Sequence, residues 1–266
     1  MIKYEFENVD ADLVSPSDKI KTWLFDPPYN INFKYGKEVK DSMSEEDYVS
    51  FIENSVIKMY DNSLSDANLF LIIYSDTAAR LLSTIEYTGW ELKQWITWIY
   101  PSNMGTSKNH LTKAHRAVLW FTKGNPDAYI DSVKQPYRNP NDKRVKKLIE
   151  SGKKGTNLYD WWEINLRKNV SKGYAGWYNQ LPIELVRRII LLTTEKGDWV
   201  GDLMAGSGTL MEVGYPLSRN CYLNDIDKRS LSIWKTFEPV TLDRIYSALI
   251  DIRQFIPLLP VEEIKC

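Results

Sequence analysis

The stretch DWVGDLMAGSGTLMEVGYPLSRNCYLNDID, residues 198–227, contains the pattern that sets the architecture of this chain. Residues 198–204 predict a buried strand, 205–208 a tight turn, 209–217 a helix, and 219–227 a second strand that ends in acids. Small residues at the first turn let a ligand approach the backbone, and the N terminus of the following helix supplies free N–H groups. The stretch therefore predicts a β-α-β unit with a ligand site at its glycine turn.

The end of the second strand indicates the kind of ligand. It ends in Asn224 and Asp225, and an acid at that point suits the two hydroxyls of a ribose. Gly206 and Gly208 are present in the turn, but Met211 occupies the place of the third glycine of a dinucleotide motif. The pattern favours a nucleoside-containing cofactor. A purely structural interpretation is also open, in which Asp225 caps a helix and an acid before the turn only braces it.

Strand and helix patterns alternate on both sides of this unit. Such alternation predicts a mostly parallel sheet covered by helices on both faces. Strands are predicted at 21–26, 68–75, 91–100 and 115–124, the last two adjacent in the sheet, and helices at 44–62, 76–89, 181–198 and 228–237.

The middle of the chain is basic and lacks regular patterning. Residues 1–91 carry 8 basic and 17 acidic side chains, a net of −9, and residues 92–174 carry 16 and 6, a net of +10. Residues 175–266 carry 10 and 12, a net of −2, so the whole chain is almost neutral. The segment 101–176 is rich in Pro, Gly, Asn and Lys, which is typical of an insert or long loops. A basic third between two acidic thirds indicates a surface for a polyanion, although solvated lysine-rich loops are the alternative.

The segment WLFDPPY, residues 23–29, places a carboxylate, two prolines and an aromatic ring at the end of a predicted buried strand. Each proline fixes φ and removes a backbone donor, so nearby carbonyls stay available as acceptors. Open α/β sheets bind their ligands at the carboxyl ends of strands. The segment suits a planar molecule with an exocyclic amino group, such as a nucleobase extruded from a duplex. The alternative is that Asp26 only terminates a strand.

Two motifs resemble those of amino-group DNA methyltransferases. DPPYNI (26–31) resembles their catalytic motif, and DLMAGSGT (202–209) resembles their S-adenosylmethionine turn. The catalytic motif precedes the cofactor turn with the basic segment between them, which resembles the β group of the family. Asp in first place resembles the adenine-N6 enzymes, because the cytosine-N4 enzymes usually have Ser there. The resemblance covers most of residues 1–238.

The resemblance implies a Rossmann-like methyltransferase fold: an α/β domain with a mostly parallel seven-stranded sheet, helices on both faces and a loop-rich basic insert. Catalysis would depend on Asp26, Pro27, Pro28 and Tyr29. ENVDADL (7–13) and YNQLPIEL (178–185) resemble further family segments near the cofactor. The implied cofactor-binding residues are Asp10, Asp26, Asn179, Gln180, Pro182, Asp202, Met204, Ala205, Gly206, Ser207, Gly208, Thr209, Asn224 and Asp225. The chain departs from the family pattern at Trp177, Leu181, Leu203 and Met204, where His, Lys, Pro and Phe are usual.

In the implied mechanism, the Asp26 carboxylate and the Pro27 carbonyl accept the two amino hydrogens of adenine. That localises the nitrogen lone pair and stabilises the positive charge that grows on the nitrogen. Tyr29 holds the extruded base by stacking. We therefore expect a site-specific DNA adenine-N6 methyltransferase that uses S-adenosylmethionine and needs no metal.

The expected organisation is a catalytic half (1–100), the end of the sheet with a basic insert for target recognition (101–176), a cofactor-binding half (177–238) and a C-terminal helical extension (239–266). Double-stranded DNA is the expected partner, and the resemblance allows a homodimer and a cognate restriction endonuclease. With no secretion signal and no membrane-length apolar stretch, we expect a cytoplasmic, nucleoid-associated protein of a bacterium or phage. The alternatives are cytosine-N4 or RNA methylation, a non-catalytic DNA-binding protein, and a nucleotide-dependent oxidoreductase.

Overall fold

A computed structural model describes residues 2–33, 41–101, 108–153, 155–167, 177 and 179–236. The predicted extension at 239–266 lies outside the described residues, as do Tyr178 and parts of the predicted insert. Within the described part of the chain, no helix is long and apolar enough to cross a membrane.

Eight strands form a single sheet in the order β1-β8-β7-β2-β3-β5-β4-β6. All neighbouring pairs are parallel except the two that β5 makes, with β3 and with β4. The strands are β1 (Tyr4–Glu7), β2 (Ile20–Phe25), β3 (Ser63–Ile73), β4 (Glu91–Ile99), β5 (His115–Lys123), β6 (Trp161–Glu163), β7 (Trp199–Asp202) and β8 (Asn220–Asn224).

Six α-helices accompany the sheet within the described residues, and several begin at capping residues that the sequence makes recognisable. The Ser44 hydroxyl accepts from the backbone N–H of Asp47 at 3.1 Å, and the Asp227 carboxylate accepts from the N–H of Arg229 at 2.9 Å. The helices are α1 (Glu45–Asp61), α2 (Ser75–Tyr87), α3 (Lys143–Glu150), α4 (Ile183–Thr193), α5 (Thr209–Gly214) and α6 (Lys228–Lys235), with short 3-10 turns at Ala11–Leu13 and Ile130–Val133.

The sheet has an apolar core on each face, because successive side chains of a strand point to opposite sides. In β2, Leu24 belongs to the core that contains α4 and α5, whereas Trp23 and Phe25 belong to the core that contains α1 and α2. All three side chains are at most 1% exposed. Burial on both faces explains why Trp23, Leu24 and Phe25 are apolar in succession.

The predicted α/β fold, mostly parallel with helices on both faces, is confirmed. The sheet has one strand more than predicted: β6, which lies within the segment predicted as the insert and pairs with β4. The strand predicted at 68–75 begins earlier, at Ser63, because its first residues are mostly polar and give no apolar signal, although Ser63 pairs with Ile20 of β2. The strands predicted at 91–100 and 115–124 are adjacent, as expected.

The topology fixes where chemistry can take place. Strands β2, β7 and β8 run parallel and side by side, with Leu24 opposite Asp202 and Asp202 opposite Leu223. Their carboxyl ends therefore open onto one edge of the sheet, which is the usual ligand edge of such sheets. The Asp-Pro-Pro-Tyr segment follows β2 there, and the glycine turn follows β7.

Candidate active site

A cavity of about 390 Å³ opens at this edge, within the range of small-molecule sites. All predicted catalytic residues line it, and of the predicted cofactor-binding residues only Pro182 and Gly208 do not. The predicted residues that line the cavity are Asp10, Asp26, Pro27, Pro28, Tyr29, Asn179, Gln180, Asp202, Met204, Ala205, Gly206, Ser207, Thr209, Asn224 and Asp225. Pro182 instead occupies the N-cap position of α4. A Cβ added at Gly208 would lie 2.8 Å from the Trp234 ring.

The glycine turn leaves no room for a side chain at Gly206. This residue has φ +50°, and a Cβ there would stand 2.7 Å from Nε1 of Trp177. Its N–H donates to the Asp225 carboxylate at 2.8 Å, and the other carboxylate oxygen accepts from the N–H of Asp227, also at 2.8 Å. Asp225 thus braces the turn while it lines the cavity. Its predicted contact with ribose hydroxyls stays a prediction.

Three acids converge on the cavity from three strand ends. Asp202 is 3% exposed, and its carboxylate accepts from the N–H of Met204 at 3.1 Å. Burial raises the pKa of Asp202 well above its usual range, and the nearby charges of Asp26 and Asp225 raise it further. Burial likewise raises the pKa of Asp225. A wall of carboxyl groups that repel one another favours a ligand that carries positive charge.

Asn224 joins the segment after β1 to the end of β7. Its side-chain amide donates to the carbonyls of Val9 and Leu203, both at 3.1 Å, and its oxygen accepts from the Val9 N–H at 3.2 Å. All of these amide contacts are made to backbone, which explains why Asn224 is buried. The same bonds hold the neighbouring Asp10 at the cavity.

Gln180 presents a polar atom without a partner in the ligand-free protein. Its side chain is 5% exposed and lines the cavity, and Oε1 has no hydrogen-bond partner among the described residues. A buried acceptor in that state costs free energy until a donor satisfies it. Such an atom at a cavity wall indicates a ligand that brings an N–H or O–H group.

The Asp-Pro-Pro-Tyr segment is held rigidly by its neighbours. The Tyr29 hydroxyl donates to the Asp26 carboxylate, and the Tyr48 hydroxyl donates to the Pro28 carbonyl at 2.8 Å. Tyr29 is 4% exposed, and its ring lies edge-on to the ring of Tyr74 at 5.0 Å. Burial raises the pKa of Asp26 to about 6, although the charge of Arg116 and the Tyr29 hydroxyl oppose that rise.

A buried acid anchors residues 30–33, which follow this segment. The Asp41 carboxylate, in a residue 3% exposed, accepts from the N–H groups of Asn30 at 2.7 Å, Ile31 at 3.2 Å and Phe33 at 2.6 Å. Asn30 has φ 56°, a left-handed conformation that Asn tolerates better than most residues. The turn after Tyr29 thus has a defined shape whose carboxylate anchor lies 15 residues beyond Asp26.

Several residues that shape the site belong to no recognisable sequence motif. Tyr48, Asp41 and Arg116 come from α1, from the loop before it and from β5, and no motif marks them. Trp177 stands out in the sequence only as a departure from a family pattern, yet it lines the cavity against Gly206, with the Arg229 guanidinium 5.0 Å from its ring. The departure itself is the one available signal.

The chain is similar in sequence and in fold to known proteins. A family model described as DNA methylase matches residues 20–236, most of the chain. The chain is 27% identical over 219 residues to the type II methyltransferase M.HpaI of Haemophilus parainfluenzae. The match covers 80% of this chain and 66% of that protein, so the chain spans just under two thirds of the relative's length.

Solved structures share the fold. The PvuII DNA methyltransferase, described as cytosine-N4-specific, superposes with a TM-score of 0.66 at 16% identity, covering 92% of this chain and 91% of that one. M1.HpyAVI in complex with S-adenosylmethionine superposes with a TM-score of 0.59 at 17% identity, covering 87% and 97%. At such identities the superpositions concern the fold alone.

Proposed function

We propose that this chain, which belongs to the family of N6- and N4-specific DNA methylases, transfers a methyl group from S-adenosylmethionine to the N6 atom of adenine in double-stranded DNA. The family match confirms the resemblance to amino-group DNA methyltransferases. The single observation that carries the proposal is that one cavity is lined by both predicted motifs. It brings the carboxylate and prolines after β2 together with the glycine turn after β7.

The cavity residues fit S-adenosylmethionine. Gly206 admits a ligand close to the backbone, and Asp225 stands at the end of β8 where a ribose is bound in such folds. The acidic side chains of Asp26 and Asp202 suit a sulfonium and an ammonium group, because a positive charge beside them favours their ionised forms. Gln180 offers a free acceptor. When bound, the cofactor supplies an electrophilic methyl group. M1.HpyAVI, which shares the fold, has been solved with S-adenosylmethionine.

The chain's own residues prepare the adenine. Asp26 and the Pro27 carbonyl accept the two amino hydrogens, which keeps the nitrogen lone pair available and stabilises the developing charge. The Pro28 carbonyl is already engaged by Tyr48, which supports Pro27 as the backbone acceptor. Tyr29 orients Asp26 through its hydroxyl, and we assign to it the stacking contact with the extruded base in the DNA complex.

The test for catalysis is Asp26→Ala, with the exposed Asp18→Ala as the matched control. Asp26→Ala should lower single-turnover methyl transfer to DNA at least about 100-fold, the typical loss when a group that stabilises transition-state charge is removed. Cofactor affinity should change little, because the glycine turn and Asp225 remain. Normal turnover by Asp26→Ala would show that the catalytic assignment is wrong.

The choice of base needs its own experiment. An Asp at the first position supports adenine, whereas the PvuII enzyme that shares the fold is named cytosine-N4-specific. Incubation with unmodified genomic DNA and labelled cofactor, followed by nucleoside digestion and mass spectrometry, should yield N6-methyladenine. N4-methylcytosine would assign the same chemistry to the other base. Methylation of RNA in place of DNA would refute the proposal that DNA is the substrate.

The partners follow from charge and from the relatives. The predicted insert contributes exposed basic residues that can contact phosphates: Lys108, Lys113, Arg138, Lys143, Arg144, Lys146, Lys147 and Lys153. Because M.HpaI is a type II methyltransferase, we propose a cognate restriction endonuclease as a functional partner. A homodimer and a cytoplasmic, nucleoid-associated location remain predictions.

A further inference from the structure

Arg116 reaches the candidate active site from a strand that runs against its neighbours. It is the second residue of β5, and the next residue, Ala117, pairs with Ile73 at the end of β3. Because β5 is antiparallel to β3, its first residues lie at the edge of the sheet where β2 and β3 end. Arg116 therefore stands beside the Asp-Pro-Pro-Tyr segment although 87 residues separate it from Tyr29.

Four aromatic rings surround the Arg116 guanidinium. Its central carbon lies 4.8 Å from the ring centre of Tyr29, 5.2 Å from Trp98, 5.6 Å from Tyr100 and 5.7 Å from Tyr74. The residue is only 6% exposed, and its Nε has no hydrogen-bond partner among the described residues. A guanidinium within about 6 Å of a ring face is attracted to it, and its planar shape makes Arg better than Lys at such contacts. This enclosure fixes the guanidinium against the Tyr29 ring.

Tyr29 links the Arg116 guanidinium to Asp26: its ring centre lies 4.8 Å from the guanidinium carbon, and its hydroxyl donates to the Asp26 carboxylate. The charge of Arg116 lowers the pKa of Asp26 against the opposing effect of burial. Burial lowers the pKa of Arg116, but the neighbouring Tyr29 hydroxyl and the Asp26 carboxylate raise it overall. Among the described residues, the other titratable groups that act on this pair are Asp202 from β7, and Tyr74 and Tyr100 beside the guanidinium.

We propose that Arg116 is a positioning residue for methyl transfer: it fixes the Tyr29 ring and keeps the Asp26 carboxyl group ionised, so that Asp26 accepts a hydrogen from the target amine. The inference rests on the proposed role of Asp26 as that acceptor. A protonated Asp26 would present a donor to an amino group that is itself a donor. Without Arg116, the fraction of protein with a competent Asp26 at neutral pH falls.

The test compares Arg116→Met and Arg116→Lys with the unaltered protein by two measurements. Carboxyl-labelled aspartate NMR of the cofactor-free protein follows the ionisation of Asp26, and single-turnover rates from pH 5 to pH 9 follow its effect on methyl transfer. In the unaltered protein both midpoints should lie at about 6. In Arg116→Met both should rise by about one to three pH units, the usual effect of removing a nearby opposite charge.

Arg116→Lys separates charge from stacking. The ammonium retains the positive charge, so the ionisation midpoint of Asp26 should stay near that of the unaltered protein. The planar contact with Tyr29 is absent, so the rate at high pH should fall about tenfold or more through misplacement of the segment. A full rate at high pH in this variant would refute the part of the proposal that concerns Tyr29.

Lys123→Met is the matched control. Lys123 also lies on β5 with its Nζ over a ring, 4.0 Å from the centre of Tyr60, but at the opposite end of the strand. This variant should keep both the Asp26 midpoint and the rate. If Arg116→Met left the NMR midpoint of Asp26 unchanged, the inference would be overturned. A shifted NMR midpoint without methyl transfer in any variant would uphold the Arg116–Asp26 coupling and refute the proposed function instead.

Loss of a buried arginine can also prevent folding, which circular dichroism would reveal. In that case the guanidinium nitrogen signal of Arg116 in the unaltered protein gives the answer. It should shift with pH at the midpoint of Asp26, and Asp26→Asn should abolish that inflection. A guanidinium signal that does not respond between pH 5 and pH 8 would contradict the coupling.

Discussion

Gly206 meets two demands at the cofactor turn: a left-handed backbone and an absent side chain beside Trp177. We predict that Gly206→Ala weakens binding of S-adenosylmethionine at least about tenfold, because a steric shift of the turn costs about 1.4 kcal/mol or more. Calorimetric titration measures this loss. Gly152→Ala is the matched control, since Gly152 has φ +87° but nothing within 4 Å of its Cβ position. That variant should lose about 1 kcal/mol of its free energy of unfolding, because alanine is strained in a left-handed backbone, and it should keep its cofactor affinity.

Gln180 allows stability and ligand binding to be separated at one residue. Because its Oε1 is buried without a partner among the described residues, Gln180→Met should leave the free energy of unfolding unchanged or raise it by about 1 kcal/mol. The same change should weaken cofactor binding about fivefold to tenfold, since a hydrogen bond to the ligand is worth about 1 kcal/mol. Denaturant titration and calorimetry together check both signs. A clear loss of stability with unchanged affinity would mean that Gln180 serves the fold alone.

Residues 30–33, which follow Tyr29, are anchored by the Asp41 carboxylate. Asp41→Ala removes the acceptor of three backbone N–H groups, so we expect a loss of about 1–3 kcal/mol in stability and a lower rate of methyl transfer. Cofactor affinity should hold, because the glycine turn makes no bond to Asp41 among the contacts of the described residues. Asp41→Asn retains one acceptor oxygen, so its stability and its rate of methyl transfer should lie between those of the unaltered protein and of Asp41→Ala. Equal rates for all three would show that this loop does not position the catalytic segment.

The elements that sequence patterns predicted are those whose own residues carry the local signals of a helix or a strand. Helix α1 has a Ser44 cap, acids in its first turn and apolar residues at helical spacing, and β2 is a buried apolar run that ends just before a proline pair. Strand β6 could not be predicted in this way. It is three residues long and exists as a strand only through its pairing with β4. The antiparallel direction of β5 was equally hidden, because adjacency in a sheet does not state direction.

At the scale of the whole molecule, the separation of charge predicts where the proposed DNA substrate binds. The double change Lys143→Glu with Lys147→Glu on exposed α3 should weaken DNA binding and flatten its dependence on salt, by roughly one unit of slope for each phosphate that is no longer neutralised. Cofactor affinity should not change. The matched control is Lys19→Glu with Lys196→Glu, which alters the same number of charges just before β2 and β7, at the edge opposite the cavity. Fluorescence anisotropy of labelled DNA at several salt concentrations measures the affinity of both double variants.

The candidate site was predictable where a motif carries its chemistry and unpredictable where tertiary contacts do. Asp26 and Gly206 belong to short segments whose residue types suffice to suggest a role, and both line the cavity. Arg116 and Tyr48 act on the Asp-Pro-Pro-Tyr segment from distant parts of the chain. Their residue types are ordinary for a strand and a helix, so only the packed structure shows what they touch. Residue patterns thus indicate the chemical groups, and the arrangement that restrains those groups comes from the fold.

The pairing of β2 with β7 has a consequence for how the molecule comes into being. Thr22 lies opposite Val200, so the two halves of the cavity meet across the middle of the sheet although most of the chain's length separates them. On a ribosome that adds about 5–20 residues per second, the Asp-Pro-Pro-Tyr segment emerges many seconds before its partner strand exists. The apolar β2 therefore lacks its β7 neighbour during that interval, and the proposed methyl transfer can begin only after β8 has been synthesised.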